Sequence, residues 1–168
     1  MKDVTVVMCH IGEQKKLDEA LESLYKFYPG IDTVIDDDPS LGHGRKLDDS
    51  FKNLKSRYIL TMDDDIRLFK AGLIEDLLEK MASDVYGVGE LVGHHVAFIH
   101  PKLALWNRSA FSDKHLSFQD CQIWHHKCDE VFELQTGAYL GYQMSLKYGY
   151  RGVHVNVLDW AHHLSEGK

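Results

Sequence analysis

Cysteine is scarce. The three present, Cys9, Cys121 and Cys128, make an odd count that supports no disulfide framework and points to a reducing compartment. No apolar run approaches the ~20 residues that cross a bilayer. The opening MKDVTVV enters a strand without the charged and apolar regions of a secretory leader, so a cytoplasmic chain with no integral membrane segment is expected. Basic residues are the minority, 19 Lys and Arg against 26 Asp and Glu, and the formal charge of −7 excludes a strong overall field for nucleic acid or an anionic membrane. A local basic patch stays open. There is no repeat, low-complexity tract or interdomain linker, and 168 residues suit one domain spanning 1–168. What remains, 44% hydrophobic and 27% charged residues, is ordinary for a globular protein.

The first half has a regular order. Val4 to Cys9 is a β-branched apolar run, read as a buried parallel strand. Leu17, Ala20, Leu21, Leu24 and Tyr25 repeat at helical spacing, and Pro29-Gly30 stops that helix. Thr33 to Ile35 predicts a second strand, Leu41 to Arg45 a loop and Leu47 to Leu54 a helix. Tyr58 to Met62 predicts a third strand, and Ala71 to Met81 another helix. This alternation predicts an α/β fold with a doubly wound, mostly parallel sheet, whose ligands bind at the carboxyl ends of the strands. All three strand ends carry polar groups: His10, the turn Asp36 to Ser40, and the run Asp63-Asp64-Asp65. In the second half, Val85 to Leu91, His95 to His100, Leu103 to Trp106 and Val153 to Val157 read as strands. Ala138 to Tyr148 reads as a helix stopped by Gly149, and Ser117 to Lys127 is ambiguous.

The triple aspartate is the most informative feature. Adjacent carboxylates repel one another unless a cation lies among them. Mg²⁺ and Mn²⁺ take oxygen ligands, typically one or two carboxylates plus substrate phosphates, and neutralise charge on a diphosphate leaving group. In an extended segment residues i and i+2 share a face, so Asp63 and Asp65 can reach one ligand while Asp64 points elsewhere.

Three segments carry a resemblance. VTVVMCHIGEQKKLDEALESL, TVIDDDPS and GHGRKLDDSFKNLKSRYILTMDDD resemble, in order and spacing, the nucleotide-binding half of family-two GT-A glycosyltransferases. Pro39 stands where their Asp-Asp-Gly-Ser turn has glycine, and the last segment runs into their D-x-D motif. The resemblance implies a GT-A, nucleotide-diphospho-sugar transferase-like fold, with residues 1–70 as nucleotide-binding half and 71–168 as acceptor half. It implies that His10, Ile11 and Gly12 line the base, that Asp37 or Asp36 hydrogen-bonds it, and that Arg45 sits beside the donor as a catalytic cation. Asp63 would face the ribose or sugar, with Asp64 on the donor side. Mn²⁺ or Mg²⁺ would sit on Asp65 and Asp63. The closing KYGYRGVHVNVLDWAHHLSEG resembles the family's final turn, strand and metal-binding histidine, placed here on His162 first and His163 second. The implied donor is a nucleotide-diphosphate sugar, a UDP-sugar favoured. The acceptor is open among a polysaccharide, a glycolipid and a modified DNA base, and a homo-oligomer is among the open assembly states.

One departure stands out. Inverting members carry a catalytic acid at the start of the helix before that last turn, where this chain reads Thr136-Gly137-Ala138. A base then falls to Asp120 first, or to Glu133 or Glu130; otherwise the reaction retains configuration, or the chain is a silent nucleotide-sugar-binding module. A nucleotidyltransferase is a further alternative, poorly matched because CHIGEQKK is not a glycine-rich phosphate loop. Cys121, His125 and Cys128 complete no four-ligand zinc site, and a helix with half-buried cysteines is expected there. Trp106, Trp124 and Trp160 are expected in the core before any sugar-stacking role.

Overall fold

The computed structural model describes residues 3–93, 97–111, 116–119, 121–125, 130–134 and 136–163. The first half alternates as expected: β1 (Val4–Cys9), α1 (Gln14–Phe27), β2 (Asp32–Asp36), α2 (His43–Asn53), β3 (Tyr58–Met62), β4 (Ile66–Leu68) and α3 (Leu73–Glu79). The second half adds β5 (Val85–Val92), β6 (Phe98–Asn107), β7 (Cys121–His125), β8 (Glu130–Leu134), α4 (Ala138–Tyr142), β9 (Arg151–His154) and β10 (Ala161–His163). A six-stranded sheet runs in the order β2-β1-β3-β6-β5-β9. Neighbours pair parallel except β6, which is antiparallel to both β3 and β5.

Strand alternation divides the core between the two faces of this sheet. Val4, Val6 and Met8 of β1, Leu60 and Met62 of β3, and Leu103 and Leu105 of β6 pack against Leu17, Ala20 and Leu24 of α1 and Leu73, Ile74 and Leu77 of α3. The intervening Val7, Cys9, Ile59, Ala104 and Trp106 face Leu47 and Phe51 of α2 and Leu140 of α4. The sheet is thus covered by helices on both sides, the doubly wound arrangement. Trp106 is fully buried and donates its indole N–H to Thr61 Oγ1 at 2.9 Å, so its role is core. Trp160 is partly buried and joins the other face.

Several boundaries differ from expectation. The two strands expected around residues 95–106 are one strand, β6, carrying Pro101 in its interior. The β5–β6 register jumps from Gly89↔Ala104 to Leu91↔Ile99, and Pro101 falls in that irregularity, where no ladder N–H is needed. Helix α2 starts at His43, so Gly44 and Arg45 are helical and not part of a loop. The start is set by tertiary packing: a Cβ on Gly44 would meet Gln119 Cα at 2.6 Å and Phe118 O at 2.7 Å. Helix α4 is shorter than expected and continues as a π-helical turn, Gln143–Lys147. Strand β9 ends at His154, and Val157 lies in a single 3₁₀ turn instead. The segment expected to be a cysteine-bearing helix is strand β7, paired antiparallel with β8 from Cys121↔Leu134 to His125↔Glu130. The β-branched and aromatic Val131 and Phe132 of its partner favour that pairing over a helix. Cys128, His126 and the His94-His95 pair lie outside the described residues.

Candidate functional site

Because β2, β1 and β3 are adjacent and parallel, their carboxyl ends open at one edge of the sheet. The loop after β1 is tied to β2 by His10 N–H donating to Asp36 O at 2.9 Å, and the end of β3 is tied to β6 by Asp63 N–H donating to Lys102 O at 2.7 Å. The sequence-predicted residues His10, Asp36 and Asp63 to Asp65 are thereby brought together. Ile11, Gly12, Asp37 and Arg45 are exposed around them. A cleft of about 360 Å³ between β2 and α2 is lined by Asp36, Asp37, Asp38, Val34, Ile35 and Asn53, and by none of the triple aspartate.

Each aspartate of the triplet has a histidine. Asp64 Oδ2 lies 2.6 Å from His10 Nδ1 and accepts the Ile11 N–H at 3.3 Å, so this carboxylate holds the β1 loop. Asp63 Oδ1 is 3.6 Å from His43 Nε2 at the start of α2. Asp65 Oδ2 is 3.1 Å from His163 Nε2. Of the two terminal histidines, the second choice, His163, is the one that faces Asp65. Strand β10 pairs with β4, His163 opposite Ile66 and His162 opposite Arg67. Successive side chains alternate, so one of the pair turns to Asp65 and the other away. His162 is the one turned away, stacked on Phe69 with ring centroids 4.6 Å apart.

The electrostatics are those of an uncompensated anion cluster. Burial, then the charge of Asp65, then that of Asp64, push the Asp63 carboxyl up to about 7, against the opposing pull of His163 and Lys102. Asp65 Oδ1 is buried with no hydrogen-bond partner. Lys102 itself is paired with Glu90 at 2.7 Å. Nearby His100 is held below its usual range by burial and then by Lys102, and its Nδ1 accepts the Lys102 N–H at 3.2 Å. Among the described residues no three His, Cys, Asp or Glu side chains are grouped so as to hold a metal ion. What the structure does bring together is the Asp65 carboxylate, with one buried oxygen unpartnered, and the His163 imidazole, donor types that suit Mn²⁺ or Mg²⁺.

Two features escaped the sequence reading. Lys46 is fully buried and reaches across the ends of β1 and β2. Asp48, also on α2, binds Ser117 Oγ at 2.6 Å, the Phe118 N–H at 2.8 Å and Gln119 Nε2 at 3.1 Å. It thus anchors the segment that leads to Asp120, and Asp120 itself lies outside the described residues. Glu130 and Glu133 lie on β8. The absent acid before α4 has a backbone counterpart: Gly137 has φ +86°, a conformation that strains any residue with a side chain.

No protein-family model matches the chain, and no curated protein sequence matches it. Solved structures do. A mannosyltransferase from Pyrobaculum calidifontis, in complex with GDP-Man and Mn²⁺, superposes with a TM-score of 0.65 at 13% identity, over 91% of this chain and 54% of that one. This chain therefore spans about half the length of that enzyme. A Drosophila galactosyltransferase 7 variant, in complex with manganese, UDP-Gal and xylobiose, gives 0.61 at 11% identity, over 97% and 71%. A protein from STIV gives 0.60 at 12% identity, over 97% and 86%. At such identities the likeness is one of architecture: the chain has the GT-A fold of nucleotide-diphospho-sugar transferases.

Proposed function

We propose that this protein is a metal-dependent glycosyltransferase that moves a sugar from a nucleotide-diphosphate donor, a uridine nucleotide favoured, to a hydroxyl acceptor. The observation that carries this reading is the meeting of Asp63 and Asp65 with His163 at the carboxyl ends of parallel strands, with one carboxylate oxygen left without a partner. Both named glycosyltransferases of like fold were captured with a nucleotide sugar and manganese. Mn²⁺ or Mg²⁺ would be held by Asp65 and His163, with Asp63 beside them. When bound it supplies Lewis-acid neutralisation of the departing diphosphate.

The remaining work belongs to the chain. His10, Ile11, Gly12, Asp36 and Asp37 bind the nucleoside, and Asp64 keeps the His10 loop in place. Arg45 adds positive charge beside the leaving group. If the sugar inverts, Asp120 takes the acceptor proton. Acceptors of the proposed class are a polysaccharide, a glycolipid or a modified DNA base. Among the described residues no helix is long and apolar enough to cross a membrane.

The test is linkage. UDP should raise Tm with Mn²⁺ or Mg²⁺, by an amount equivalent to about 2.7 kcal/mol at a hundredfold excess over Kd, and far less with EDTA. An equal shift in EDTA removes the metal, and no shift with any nucleoside diphosphate removes the donor. The left-handed Gly137, in place of an acid, favours a second reading: a silent nucleotide-sugar-binding module. Donor hydrolysis in Mn²⁺, followed by the product anomer by NMR, separates the two. Turnover excludes the silent module. An inverted anomer lost in Asp120→Asn assigns the base, typically worth ~10²–10⁴-fold, and a retained anomer removes the need for one.

A further inference from the structure

We infer that Lys46 is a positioning residue for the nucleoside: its buried ammonium brackets the ends of β1 and β2 and sets the spacing of the two loops that recognise the base. The inference rests on the nucleotide-sugar reading of this site.

A lysine with no exposed surface is rare, because its charge loses hydration and must be repaid by acceptors. Lys46 Nζ donates to His10 O at 3.0 Å and to Asp36 O at 3.0 Å, and Asp36 Oδ1 lies 3.8 Å away. Two hydrogen bonds and one ion pair thus hold the ammonium, all from the first residue beyond β1 and the last of β2. The β1–β2 ladder stops at Cys9↔Asp36, and one more bond, His10 N–H to Asp36 O, extends it. Beyond that point the two chains part. Carbonyls at such a mouth would ordinarily bind water and move with it. Here one cation from α2 holds both.

The arrangement differs from a general structural brace in where it acts. The hydrogen bonds and ion pair of Lys46 go to the ends of β1 and β2. Asp63 is tied to β6 through Lys102 O, Asp64 to His10, and Asp65 to His163. The two carboxylates proposed to hold metal, Asp63 and Asp65, therefore stand on other supports, while Asp64 and the base end meet the His10 loop that Lys46 holds. Being fully buried, Lys46 cannot meet the donor itself, so its effect passes through the His10 and Asp36 loops.

The experiment compares two probes on one protein. Titration calorimetry in Mn²⁺ measures UDP (or GDP, whichever the wild type binds) and inorganic pyrophosphate against wild type, Lys46→Met and Lys46→Gln. Positioning partners of binding groups typically contribute about 10–100-fold, as measured on metal sites. UDP affinity should fall about tenfold or more in both variants, with pyrophosphate affinity within about twofold of wild type. The milder Lys46→Gln keeps the comparison available if Lys46→Met fails to fold. Equal losses for both probes, or no loss for either, overturn the inference. A wild type that binds neither probe refutes the nucleotide-sugar reading itself, and the inference falls with it.

Discussion

Residues 1–70 and residues 71–163 build this site by different means. In the first stretch the three consecutive strands lie side by side in the order β2-β1-β3, and each delivers polar groups to the same edge. In the second, position comes from distant pairing. β6 inserts between β3 and β5, and β10 returns to β4, bringing His163 to Asp65. The contrast teaches that the acid cluster and two of its histidines, His10 and His43, are local, while His163 and the Lys102 carbonyl arrive from distant strands.

The largest expected effect breaks the local half. Asp65→Ala should reduce metal-dependent UDP affinity by about a hundredfold or more, beyond the 10–100-fold typical of outer-shell losses. Asp64→Asn should be milder, because Asp64 holds the β1 loop and faces His10. Calorimetry with and without Mn²⁺ reads both, and equal losses would put Asp64 among the metal ligands.

A smaller effect sharpens the cost of the cluster. Asp63 titrates near 7 in the folded chain against 3.8 as a free side chain. The folded state therefore holds an extra proton between those values. The contribution of Asp63 to metal-free stability should be full near pH 4, decline as pH rises to about 7, and be lost above it. Asp63→Asn removes this slope. At about 1.4 kcal/mol per unit, discounted because 26% of the side chain meets solvent, the variant should be about 2 kcal/mol more stable than wild type at pH 8 in EDTA. The two should converge near pH 4 in urea denaturation. A constant difference at every pH would assign the effect to packing.

The smallest effect tests the remote half. His163→Ala should weaken Mn²⁺-dependent nucleotide binding about tenfold, while His162→Ala should leave it within about twofold, because its ring packs on Phe69. The reverse order would mean that β10 shifts by one residue when metal binds.

Much of this was legible. Strands β1, β2 and β3 and helix α1 follow from apolar periodicity, and the three polar strand ends follow from the alternating order. The β7–β8 hairpin was not, because a short run with cysteine, tryptophan and glutamine has no decisive period, and pairing with β8 settles it. Nor was the start of α2, where Gly44 admits the backbone of Gln119 at a distance no side chain would allow.

By itself the sequence determined a doubly wound α/β sheet and an anionic edge, because side-chain period and adjacent charge are properties of neighbours in the chain. Only the tertiary structure decided which terminal histidine faces Asp65 and which lysine is buried. It also decided that Asp64 serves a loop. Each depends on which face of an element meets a distant segment, and one residue of register reverses that answer.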